Sequence, residues 1–186
     1  MLDPPVLPET IHTPFYCEEN VFLLGEAFLS CGQEVFAVFI SNEFKTVVLW
    51  NQKQSKDPQS VVVWDYHVVL WLRTSDGQNW IYDSDSRLPV PSLMKDYLHD
   101  TFREGVPRSY QSLFRVVPGR IYLENFASDR SHMHASTSLP PCYAPLRGSA
   151  SAVANNLMRS FVSMVPSEET FGNVYDLSRM LRMAEA

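Results

Sequence analysis

The chain has 186 residues, 45% hydrophobic and 12% aromatic, and a net charge of −6 at neutral pH. That length supports one domain with its own core, the composition excludes general disorder, and the acidic balance offers no footprint for a phosphate backbone, so nucleic acid is not an expected partner. The longest apolar runs, such as VFAVFI at 35–40, are too short to span a bilayer, and MLDPPVLPET has neither the basic region nor the apolar core of a signal peptide.

Residues 1–13 hold three prolines and read as a flexible or loosely docked lead-in. Glu18 and Glu19 suit the first turn of a helix, Val21, Leu24 and Phe28 recur at helical spacing, and Gly32 can stop it, so the pattern predicts a helix over 17–31. EVFAVFISN (34–42) and TVVLWNQ (46–52) are rich enough in β-branched and aromatic residues to predict strands. VVVWDYHVVLWLRT (61–74) and NWIYDSD (79–85) flank Ser75-Asp76-Gly77-Gln78, which signals an antiparallel hairpin. SLMKDYLHDTFRE (92–104) predicts a second helix with Ser92 as N-cap, and LFRVV (113–117) predicts a further strand. Residues 127–152, rich in Ser, Pro, Ala and His, read as a long surface loop, and helical spacing returns over 155–165 and 174–184. This order describes an α+β fold with a mainly antiparallel sheet, one domain over 1–186.

The stretch VWDYHVV (63–69) threads polar residues through an apolar strand, which costs free energy unless they are partnered. Alternation puts Asp65, His67 and Val69 on one face and Trp64, Tyr66, Val68 and Leu70 on the other, the second set being a core face. The second arm brings Asp83 and Asp85. If Thr74 lies opposite Asn79, His67 and Asp83 fall on opposite faces. If Thr74 lies opposite Gln78, the turn is Ser75-Asp76-Gly77, Asp85 faces His67, and Asp83 is its diagonal neighbour on the same face. Glycine at 77 suits the left-handed position of that turn, so the same-face register is expected.

A His held by an Asp is half of a nucleophilic apparatus. Cys17 is the best candidate for the other half, because a helix N-terminus lowers a thiol pKa and offers free N–H groups to an oxyanion, although Glu18 and Glu19 oppose thiolate formation. Cys31 and Cys142 are weaker candidates, and all three cysteines, an odd number widely spaced, read as reduced thiols of the cytoplasm or nucleus. Each residue has a plainer account: a lone Cys is more often a small buried hydrophobe, a lone His a satisfied core residue, and two aspartates a strand cap. His132 and His134 lack accompanying ligands at metal spacing, so no metal is expected.

The blocks YCEEN (16–20), FISNE (39–43), WDYHVVL (64–70), IYDSD (81–85) and NFASDRSHM (125–133) closely resemble, in the same order, the protein N-terminal glutamine amidohydrolase family. The resemblance implies a papain-like or transglutaminase-like core with Cys17 as nucleophile, His67 as general base and Asp83, rather than Asp85, as the residue that orients it. It implies hydrolysis of the side-chain amide of an N-terminal Gln to Glu and ammonia, without metal or organic cofactor, in a cytoplasmic and also nuclear monomer that feeds degradation signals read after arginylation. Recognition of the free α-ammonium then needs a carboxylate or carbonyls one side chain from the sulfur, for which Asp65, Glu19, Asp129 and Ser128 are candidates. Residues 134–156 depart from the family pattern. A papain-like thiol peptidase or isopeptidase, or a binding module with a dead site, would fit the same three side chains.

Overall fold

The computed structural model describes residues 5–131 and 139–185. Its centre is an antiparallel sheet of six strands in the order β6-β5-β4-β1-β7-β8. These are β1 (Glu34–Ser41), β4 (His67–Arg73), β5 (Asn79–Tyr82), β6 (Ser92–Leu93), β7 (Leu113–Pro118) and β8 (Asn173–Asp176). A separate ribbon pairs β2 (Val47–Leu49) with β3 (Val62–Trp64).

Both faces of the six-stranded sheet are covered. On one, α1 (Cys17–Ser30), α3 (Gly119–Asn125) and a π-helical segment (Leu157–Val162) pack against Phe39, Val68, Leu70 and Leu72. On the other, α2 (Met94–Thr101), α4 (Leu177–Ala184) and β2 pack against Val38, Val69, Trp71 and Ile81. That second layer explains why β4 reads as a near-continuous apolar run rather than an alternating one.

The helix expected over 17–31 is α1, and 34–42 is β1. The stretch 61–74 is two strands: it breaks at Asp65-Tyr66 and its halves belong to different sheets. The break changes the faces. Trp64 stacks on the His67 ring, centroids 5.4 Å apart and planes 18° from parallel, so it lies on the side of His67 and not opposite it. Ser92 does not cap α2; its hydroxyl donates to the Pro89 carbonyl at 2.5 Å, residues 92–93 pair with β5, and Leu93 holds the N-cap position. Residues 174–176, expected within the last helix over 174–184, instead belong to β8 (Asn173–Asp176) and pair with β7, because that edge offered unpaired backbone groups and Asp176 caps α4 through the Arg179 N–H. The π-helical turn at 157–162 stands where an α-helix was expected.

The hairpin has the same-face register. Leu70 lies opposite Tyr82 and Arg73 opposite Asn79, Thr74 N–H donates to the Gln78 carbonyl at 2.9 Å, and Gly77 takes a φ of 88°. Only glycine adopts that left-handed position without steric cost.

Candidate active site

His67 opens β4, and Asp83 follows the last residue of β5. The hairpin register brings them together, with His67 Nε2 2.9 Å from Asp83 Oδ1. A carboxylate can only accept, so Nε2 carries the proton and donates it. Asp83 Oδ1 also accepts from the Asp85 N–H at 3.0 Å, while Oδ2 accepts from the Tyr97 hydroxyl at 2.9 Å and the Gln52 amide at 3.3 Å. Four donors thus occupy the carboxylate's four lone-pair positions. Burial pushes the Asp83 carboxyl up, but the charge of His67 and these hydrogen bonds outweigh it and hold the group below its ordinary range. Burial pushes the His67 imidazole down, and the charge and hydrogen bond of Asp83, with Asp85 and Glu18 farther out, carry it above its ordinary 6.5. The other ring nitrogen, Nδ1, is buried and has no hydrogen-bond partner among the described residues.

Cys17 is the first residue of α1. The chain enters that helix through Phe15, whose φ of 68° places a bulky residue in the left-handed region, a strain of about 1–3 kcal/mol held by the surrounding packing. The partly buried thiol donates to Glu18 Oε2 at 3.5 Å. Burial pushes the thiol well above its ordinary 9.0, the charges of Glu18 and Asp85 push the same way, and the Val68 N–H pulls it back only in part. The thiol therefore rests protonated. Glu18, only 1% exposed, also accepts from the Tyr66 hydroxyl at 3.3 Å, and burial, with Glu19 adding repulsion, lifts its carboxyl to about 7.

A cavity of about 270 Å³ opens beside these groups, lined by Cys17, Val68, Asp83 and Asp85 and walled on one side by residues 7–12. That wall, without helix or strand, is pinned at both ends. The Tyr82 hydroxyl donates to the Pro5 carbonyl at 2.6 Å, and Thr13 and Asn20 exchange two hydrogen bonds of 2.9 and 2.8 Å. A larger hollow of about 620 Å³, lined by Trp50, Phe102, Arg103 and Tyr110 among others, shares no residue with the first and contains neither cysteine nor histidine, so volume is not the guide to chemistry here.

None of the four residues expected to bind the α-ammonium lines the smaller cavity. Glu19 is fully buried with both oxygens engaged: Arg130 donates through Nε and Nη2 at 2.7 and 2.6 Å, and the Ser128 hydroxyl donates to Oε1. Two expected substrate ligands thus bind to one another. Asp129 accepts from the N–H and hydroxyl of Ser131, and the exposed Asp65 accepts from the N–H of Tyr66. His132 and His134 lie outside the described residues. His67, Asp83 and Asp85 each offer an atom within 4.8 Å of the others, as a metal-ligand set would, but the oxygens of Asp83 are filled by protein donors, which makes the trio a hydrogen-bonded charge network.

Sequence reasoning missed Gln52, Tyr97 and the wall at 7–12. Tyr97 carries the helical spacing of a core residue and Gln52 ends a strand-like run, so neither gave a sign of reaching Asp83.

The profile of the N-terminal glutamine amidase family matches residues 12–184. The chain belongs to that family. It is 40% identical over 178 residues to the protein N-terminal glutamine amidohydrolase of Homo sapiens, covering 90% of this chain and 84% of the human one. It is 43% identical over 150 residues to that of Arabidopsis thaliana (73% and 67%) and 38% over 183 residues to that of Danio rerio (94% and 89%). The family match takes in all of Cys17, His67, Asp83 and Asp85 as well as the Tyr97 that supports Asp83.

Proposed function

We propose that this protein removes the side-chain amide of an N-terminal glutamine, with Cys17 as nucleophile, His67 as general base and acid, and Asp83 as the residue that holds His67. Family membership supports the reaction class. The observation that carries the residue roles is the His67 ring, fixed through Nε2 by Asp83, which lines one cavity with Cys17, and left with a buried Nδ1 that has no partner among the described residues. A helix opening at the cysteine and a histidine and aspartate on the sheet agree with a papain-like or transglutaminase-like core.

Because the thiol rests protonated, its proton passes to His67 Nδ1 as sulfur attacks the carboxamide carbon, and backbone N–H groups at the opening of α1 take the oxyanion. The C–N bond then breaks, His67 returns the proton to the leaving amide, and ammonia departs from a thioester. A water gives a proton to Nδ1 and adds to the thioester, the C–S bond breaks, and the sulfur recovers its proton from His67. The product is an N-terminal glutamate. Cytoplasmic and nuclear action as a monomer, upstream of arginylation, belongs to the same proposal.

Incubation with a short peptide beginning in Gln tests it. The expected result is ammonia and a mass gain of about 1 Da, absent with Cys17→Ala, with an Asn-initiated peptide and with internal Gln. Backbone cleavage would mean a peptidase, and no reaction in any sample would mean a binding module.

A further inference from the structure

The cavity beside Cys17 is acidic: Glu9, Asp83 and Asp85 stand in its wall, and no lysine or arginine does. The three carboxylates are not equivalent. Asp83 is filled by four donors, and Glu9 is exposed on the segment that walls the cavity. Asp85 is only 6% exposed, yet among the described residues the Gln54 amide, 3.0 Å from Oδ1, is its one side-chain donor, and none donates to Oδ2. A buried carboxylate without a cation retains a desolvation cost that a bound cation would relieve.

Its location sets the kind of cation. An Asp85 oxygen lies within 4.8 Å of both an Asp83 oxygen and a ring nitrogen of His67, and Asp85 stands in the same cavity wall as Cys17. In glutamine the α-nitrogen and the side-chain amide carbon are four bonds apart, about 5 Å when extended. One glutamine can meet both groups only where they share a cavity, as Cys17 and Asp85 do.

We propose that Asp85 binds the α-ammonium of the N-terminal glutamine, a role that rests on Cys17 being the nucleophile. Selectivity for a chain terminus then has two sources. An internal glutamine brings an uncharged amide nitrogen to a buried anion, which leaves the carboxylate unpaired. It also brings a second chain into a space of about 270 Å³ already walled by residues 7–12.

The test is a binding cycle in the full chain carrying Cys17→Ala, so that the peptide stays intact. Dissociation constants are measured by calorimetry for a Gln-initiated peptide with a free or acetylated amine, with and without Asp85→Asn, which keeps an oxygen for Gln54 and removes the charge. Acetylation alone and Asp85→Asn alone should each weaken binding about 10- to 100-fold, and both together no more than either one. Binding of the free-amine peptide unchanged by Asp85→Asn, losses that multiply, or no binding of the free-amine peptide would overturn the assignment. With Cys17 intact, Asp85→Asn should raise KM for the peptide with kcat much less affected, a split that a misfolded variant, which loses active enzyme and so kcat, would not show. The wild-type chain releasing no ammonia would instead defeat the reading of Cys17, separately from this one.

Discussion

Asp83 accepts from the proton-bearing Nε2 of His67 at 2.9 Å and leaves Nδ1 buried without a partner among the described residues, whereas in the serine-protease triad the carboxylate holds Nδ1. In the proposed mechanism, the acid's reach from the end of β5 decides which nitrogen is the base.

Asp83 raises the affinity of His67 for protons, so the neutral base appears only as pH rises through a value above 6.5. The acidic limb of kcat/KM for a Gln-peptide should therefore lie above pH 6.5, and a limb below it would count against His67 as base. Asp83→Asn should lower turnover roughly 10²–10⁴-fold and shift the ring titration, followed by NMR, downward. The linkage to stability has matching signs. The raised His67 contributes fully below 6.5 and loses its contribution as pH climbs through its folded value, while the lowered Asp83 contributes fully above 3.8 and loses it as pH falls through its own. The pair stabilises the fold most between those limits.

Tyr97 and Gln52 touch Asp83, not the cavity, so they act by position. Tyr97→Phe and Gln52→Leu should each lower kcat about tenfold with KM little changed, at a stability cost of about 1 kcal/mol by urea unfolding. A change confined to KM would remove them from this role.

Glu18 is held neutral by burial up to about pH 7 although it ionises near 4.5 when unfolded. Stability should be lost between those values, by about 3 kcal/mol. Glu18→Gln should abolish that loss, matching wild type below pH 4.5 and exceeding it above 7. It should also make Cys17 several-fold more reactive to iodoacetamide at pH 8, because one charge that pushes the thiol up is gone. Identical pH profiles of unfolding would refute the placement.

Arg130 is the cation that lets Glu19 be fully buried. Arg130→Leu should destabilise by about 3–5 kcal/mol, and adding Glu19→Gln should recover much of it. Chemical denaturation of the single and double variants decides this; equal losses in both would mean that the ion pair is not the cause.

What could be read from the sequence was what short spacing encodes. Period and turn chemistry gave α1, β1 and the hairpin, and Gly77 gave a register that no strand propensity contains. The face of Trp64 was misread because alternation assumes an unbroken strand, and the break at Asp65-Tyr66 depends on pairing with β2. Glu19 looked available because its partners are 109 and 111 residues downstream. Arg115, central in an apolar strand, is fully buried because its guanidinium donates to the carbonyls of Ser163 and Phe171, partners that no local pattern announces.

The turn at 75–77 also constrains which length changes this family can tolerate there. It lies about 25 Å along the strand from His67 and lines neither cavity. Even so, an inserted residue that slipped the pairing of β5 by one, instead of lengthening the turn, would turn every side chain of β5 over and carry Asp83 to the wrong side of the sheet. Viable insertions in this remote, solvent-facing loop should thus be those that the turn absorbs while Leu70 stays opposite Tyr82.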